Sequence, residues 1–175
     1  MELKRAAEEA ATIIKQGGVA IFPTDTVWAI GCDATNPQAV ERLKKLIGTP
    51  HRQGVVTIAK DMNMVARFVK EVPEIAEQLH EVSDTPLTIV YSKASGVAPG
   101  VAAQDGSIAI RVCESPFCNI LLTKLGRLAV AAALPSNFNG AVDYTAPQTL
   151  DEGSTGKLSS IIYIGDGGIV KIIRK

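Results

Sequence analysis

Between residues 19 and 32 the chain reads VAIFPTDTVWAIGC, two short apolar runs split by Pro23-Thr24-Asp25-Thr26. Runs this short suit buried strands better than packed helices. Pro23 has no N–H to give to a sheet ladder, so it stops the first run. Thr-Asp-Thr must then turn the chain, with Asp25 positioned to bond nearby amides. The segment therefore demands two strands, 19–22 and 26–32, joined by a polar corner. Turn chemistry alone accounts for such a corner. Ligand binding is the alternative, and the surrounding sequence has to decide between them.

Upstream, Leu3, Ala6, Ala7, Ala10, Ile13 and Ile14 recur at helical spacing, and Gly17-Gly18 ends that helix over 3–16. Downstream the pattern predicts helices over 37–46, 61–70, 73–82 and 116–125. Strands are predicted over 55–59, 87–91, 107–113 and 128–134, with a closing hairpin of 160–164 and 169–173 around the turn GDGG. Residues 135–159 are rich in Pro, Gly, Asn, Ser and Thr and read as loop. Helices interspersed with strands, some of them adjacent hairpin strands, define an α/β chain with a mixed sheet. At 175 residues, with 46% apolar composition, one domain over 1–175 with one substantial core is expected.

Eighteen basic residues balance eighteen acidic ones, so no global field recruits nucleic acid. Two histidines, His51 and His80, and three unpaired cysteines, Cys32, Cys113 and Cys118, argue against a zinc site and for buried reduced thiols. No apolar run reaches the ~18 residues of a membrane span, and the cytoplasm is the default compartment. GSTGKLSS at 153–160 fails P-loop spacing, because Asp151 stands where the first Gly belongs and Leu158 follows Lys157. It reads as a flexible loop. Lys44 and Lys45 read as a solvated helix end favoured by the helix dipole, with the edge of a phosphate cleft as the alternative.

The stretch GGVAIFPTDTVWAIGCDA resembles the signature of the YrdC-like family, the L-threonylcarbamoyladenylate synthases. PLTIVY (86–91), GSIAIRV (106–112), SSIIYI (159–164) and GGIVKIIR (167–174) resemble further family segments in the same order. The resemblance implies a single-domain twisted mixed β-sheet with helices packed on the outside and a concave, electropositive cleft. It implies joining of threonine, bicarbonate and ATP into threonylcarbamoyl-AMP for tRNA modification, with tRNA or tRNA-modification proteins as partners and Mg²⁺ only through ATP. By the same resemblance Thr24, Asp25, Thr26 and Arg111 are the catalytic candidates. The two threonines supply hydroxyls for the small amino acid, and Arg111 is a fork for a carboxylate. Thr88, Asn137, Ser159, Ser160 and Arg174 would line the nucleotide side. No metal ligands are assigned.

Three places depart from the family pattern. Its Lys-x-Arg reads Ile47-Gly48-Thr49 here, which removes two cations expected on ATP phosphates, with His51 and Arg52 the nearest substitutes. Its Ser-Thr-Ser-Ala-Asn cluster reads Ala133-Leu134-Pro135-Ser136-Asn137, and Ala29 stands where Gly is usual. These losses empty one side of the cleft while the structural anchors stay. Three readings remain open at this level: the synthase, a catalytically impaired protein that binds nucleotide, amino acid or RNA, and a scaffold without a ligand.

Overall fold

The computed structural model describes residues 2–150, 154–165 and 168–174. Helix α1 (Glu2–Lys15) buries Ala6, Ala7, Ala10, Ala11 and Ile14 along one stripe. It stops at Gly17, whose φ of 94° the Cβ of other residues disfavours. Strand β1 (Ala20–Phe22) follows, then the corner, then β2 (Ala29–Asp33). Helix α2 (Pro37–Ile47) is capped by Asn36, which accepts from the Ala39 amide, and has Pro37 in its first turn. After β3 (Thr57–Ala59) come α3 (Met62–Ala66) and α4 (Glu74–Val82), then β4 (Leu87–Tyr91) and β5 (Ile108–Val112). Helix α5 (Pro116–Leu125) is capped by Ser115 and precedes β6 (Ala129–Ala133). Short β7 (Tyr144–Thr145) and the hairpin of β8 (Ser160–Ile164) and β9 (Val170–Arg174) complete the sheet.

Among the described residues nine strands form one sheet in the order β7-β1-β2-β6-β3-β5-β4-β8-β9. The β1–β7, β3–β5 and β4–β8 pairs are parallel and the rest antiparallel, so the sheet is mixed. Strand alternation divides the apolar side chains between two faces. Ala20, Phe22, Ala29 and Ile58 pack under α1 and α5, where Phe22 stacks on Phe117 with ring centroids 6.0 Å apart. Ile21, Ile30, Ile89 and Ile110 face the other way, toward α2, α3 and α4. Gly31 lies beneath Phe22, where an added Cβ would meet the ring at 2.7 Å.

Four local expectations shift. The second strand starts at Ala29 rather than at residue 26, because Thr24 and Thr26 spend their hydrogen bonds on the corner itself. The helix expected over 61–70 ends at Ala66, and Val69 bridges to Ala94 instead. The strand expected over 55–59 shortens to 57–59, while the Val56 carbonyl still accepts from the Ala131 amide. The loop expected over 135–159 contains β7, since the Asp143 amide reaches the Val19 carbonyl and draws the chain alongside β1. Asp166 and Gly167 of the expected GDGG turn lie outside the described residues.

Asp33 ends β2 and is 3% exposed. Its carboxylate accepts from Arg127 Nε at 2.8 Å and from the Thr35 amide and hydroxyl at 2.9 and 2.7 Å. Burial pushes its pKa up, but those bonds outweigh burial and hold it below the ordinary 3.8. The stability this lowered value contributes is therefore complete above pH 3.8 and lost as the pH falls through the lower folded value. Thermal unfolding followed from pH 6 to pH 2 should show that loss, and Arg127→Gln should shrink it.

Candidate functional site

Pro23 ends β1, and the next residues fold back over the sheet. The Thr24 hydroxyl donates to the Val27 carbonyl at 2.6 Å and accepts from the Thr26 amide at 3.1 Å. Thr24 Oγ1 and Thr26 Oγ1 are 3.1 Å apart. With the Thr24 proton committed to Val27, Thr26 must be the donor in that pair. Both hydroxyl protons are thus spent inside the corner, and Thr26 Oγ1 keeps only acceptor capacity. Thr24 and Thr26 are 1% and 3% exposed.

Between them, Asp25 Oδ1 accepts from Arg111 Nε at 3.0 Å. The two side chains are 16% and 6% exposed, so this is a nearly buried ion pair. Arg111 stands on β5 in a row of paired residues that crosses five strands: Ile58, Arg111, Thr88, Ile161 and Arg174. Directly paired residues project to one face. Ile58 marks it as the face of α1 and α5. On that face Thr88 Oγ1 lies 2.6 Å from Ser159 Oγ, and Arg174 Nε donates to the Ser159 carbonyl at 2.9 Å.

The structure thus gathers Thr24, Asp25, Thr26 and Arg111 in one cluster and Thr88, Ser159 and Arg174 in a second along the same row. Ser160 pairs with Leu87, which packs into the opposite core, so alternation turns it to the other face. Asn137 is exposed in the turn after β6, and its side chain makes no hydrogen bond among the described residues.

Three features were not legible beforehand. The stretch at 154–156 is not free: the Thr155 and Gly156 amides donate to the Asp25 and Thr26 carbonyls at 3.1 and 2.8 Å, and Ser154 Oγ donates to the Thr26 carbonyl. Those amides hold the corner rather than a phosphate. Cys113 Sγ donates to Asp25 Oδ1 at 3.4 Å, and Cys118 Sγ to the Pro23 carbonyl at 3.6 Å.

Lys44 is the third. It is 4% exposed rather than solvated. Its ammonium donates to the carbonyls of His51, Gln53 and Gly100 at 2.8, 2.6 and 2.9 Å. Burial lowers its pKa from the ordinary 10.5, and the three acceptors are what make a charge tolerable there. The loop after α2, where two cations were expected, is thereby tied down with His51 and Arg52 lining a separate hollow of about 500 Å³ beside residues 94–100. Lys45 is exposed and pairs with Glu41 at 3.2 Å.

Beside Asp25 opens a cleft of about 380 Å³. Its charged lining is Asp25, Glu81, Asp84 and Glu114 against His80, whose Nε2 lies 3.6 Å from Glu114. The electropositive surface expected of the cleft is absent from this lining, which contains no lysine or arginine among the described residues. Among the described residues no group of three or more His, Cys, Asp or Glu side chains is placed to hold a metal, and no helix is long and apolar enough to cross a membrane.

A mixed sheet with helices on both faces and a polar loop folded onto a buried arginine defines an α/β protein with a single twisted sheet. The family model Sua5_yciO_yrdC, described as "Telomere recombination", matches residues 12–174, and the chain belongs to that family. A threonylcarbamoyl-AMP synthase of Halorhodospira halophila is 36% identical over 138 residues, which are 78% of this chain and 65% of that protein, just under two thirds of its length. The crystal structure of E. coli YciO superposes with a TM-score of 0.79 at 19% identity, covering 98% of this chain and 89% of that one. The structure of P. abyssi Sua5 complexed with L-threonine gives a TM-score of 0.74 at 21% identity, covering 91% of this chain and 51% of that one. These likenesses establish the twisted mixed α/β fold.

Proposed function

We propose that this chain binds threonine at the Thr24–Asp25–Thr26 corner and acts, with a weakened nucleotide step, in making threonylcarbamoyl-AMP from threonine, bicarbonate and ATP. The observation that carries this is the buried Arg111 bonded to Asp25 within a hydroxyl-bearing corner. An amino acid brings one carboxylate and one ammonium. Arg111 is the fork for the first, and Asp25 with Thr26 Oγ1 offers acceptors for the second. Thr88, Ser159 and Arg174 continue the same face toward the nucleotide. Mg²⁺ would arrive with ATP, and a tRNA-modifying partner in the cytoplasm would consume the product.

The chemical step is attack of a carbamate carboxylate on the α-phosphorus, with pyrophosphate leaving. Negative charge on the phosphate oxygens needs cations aimed at it, and each such contact commonly carries a factor of about 10²–10³. Ile47 and Thr49 supply none, Lys44 is held by carbonyls, and the adjoining cleft is acidic. Those observations favour a second reading, in which the chain holds the amino acid and does not turn over.

Pyrophosphate release with threonine, bicarbonate and ATP separates the two. Release above that of an Arg111→Ala control supports the synthase. Calorimetric binding of threonine with no release supports the second reading, and no binding of threonine or ATP defeats both. Ile47→Lys combined with Thr49→Arg is expected to tighten ATP by at least about tenfold, because each charge-assisted contact contributes roughly 1.5–3 kcal/mol. An unchanged titration would mean that positions 47 and 49 do not face the nucleotide.

A further inference from the structure

Two thiols hold the corner from beneath. Cys118, in the first turn of α5, donates to the carbonyl of Pro23 at 3.6 Å. Cys113, just past β5, donates to Asp25 Oδ1 at 3.4 Å. Both contact Ser115, the cap between them: Cys113 Sγ lies 3.6 Å from Ser115 Oγ, which accepts from the Cys118 amide at 3.3 Å. Two of the three cysteines in the chain thus meet under one turn, and each S–H is spent on a different residue of it. Buried cysteines placed for packing alone would need no such partners.

We propose that Cys113 and Cys118 form a redox latch, in which their oxidation to a disulfide loosens the 23–26 corner by removing the two thiol donors that hold Pro23 and Asp25. The oxidant is a peroxide. It takes two electrons from one thiolate, giving a sulfenic acid and one water. The second thiol attacks that sulfur, the S–S bond forms, and a second water leaves. The sum is two thiols and one hydrogen peroxide giving one disulfide and two waters. A disulfide has no S–H. The Pro23 carbonyl and Asp25 each lose a donor at once, and Asp25 is left to Arg111 and the 154–156 strap. Both sulfurs are 0% exposed, so peroxide reaches them only when the corner lifts, and a ligand that pins the corner slows the reaction. That the latch regulates ligand binding rests on the function proposed above; the loosening of the corner does not.

Trp28 makes the loosening visible without any ligand. It is the only tryptophan in the chain and follows the corner directly. The protein is treated with hydrogen peroxide, then with dithiothreitol. Thiols counted in denaturant should fall from three to one, leaving Cys32, with a mass loss of about 2 Da for two hydrogens. Trp28 emission should shift and should return with the reductant. Cys118→Ala should abolish the reversible shift, and Cys113→Ser serves if that variant does not fold. Oxidation confined to Cys32, over-oxidation of Cys113 without a disulfide, or a disulfide that leaves Trp28 emission unchanged each overturns the latch. A loosened corner with unchanged threonine and ATP titrations overturns the functional reading instead, and leaves the latch standing.

Discussion

Asp25→Ala should cost about 3–5 kcal/mol of stability, because it strands a guanidinium that is only 6% exposed. Arg111→Met should cost less. The carboxylate it leaves behind is 16% exposed and keeps the Cys113 thiol as a donor. The double variant should lose clearly less than the sum of the two, since the second change removes a charge that the first has already left unpaired. Urea unfolding of the four proteins measures all three numbers. Simple additivity would show that the pair is solvated rather than buried. That result would also remove the physical basis for a preorganised carboxylate fork at this position.

Lys44→Met should be comparably severe, at about 3 kcal/mol. It leaves the carbonyls of His51, Gln53 and Gly100 without their shared donor. Each buried unsatisfied acceptor costs roughly 1–3 kcal/mol, less where water can enter an exposed loop. Lys44→Arg should fail to rescue. Gly100, at φ 92°, already brings its Cα region so close that a Cβ there would lie 3.4 Å from the Lys44 side chain, and a planar fork needs more room. Hydrogen exchange at Thr49 and Gln53, whose amides close turns of this loop, should accelerate in Lys44→Met. Unchanged protection there would assign the loop's order to something other than the ammonium.

Periodicity revealed most of the frame. The Ala-rich stripe of α1, the Asn36-Pro37 start of α2 and the alternation of SIAIRVC each carry their structure locally. What escaped was set by long-range partners. β7 has two residues and exists only because Asp143 bonds to Val19 across the fold. The shortened α3 yields Val69 to a bridge with Ala94. Thr24, Asp25 and Thr26 were legible as a polar corner because the motif is short and carries its own turn, whereas the placing of Arg111 beside it came from the family resemblance, since 86 residues separate it from Asp25. Lys44 was misread because two lysines at a helix end look alike in sequence, while only one of them meets three carbonyls. Cys113 and Cys118 gave no signal beyond their burial habit, since the corner they support lies about ninety residues away in the chain. Ser160 was grouped with Ser159 by the family resemblance, and the period-two geometry of a strand sets such neighbours on opposite faces.

The carbonyls around Lys44 resemble the oxygen cradles that hold potassium or ammonium ions. A free ion in such a cradle exchanges with the medium, so the surrounding segment orders or loosens with the salts present. Here the ion is covalently attached to α2 and cannot leave. The shape of the segment after that helix should therefore be indifferent to whether the buffer contains sodium, potassium or neither.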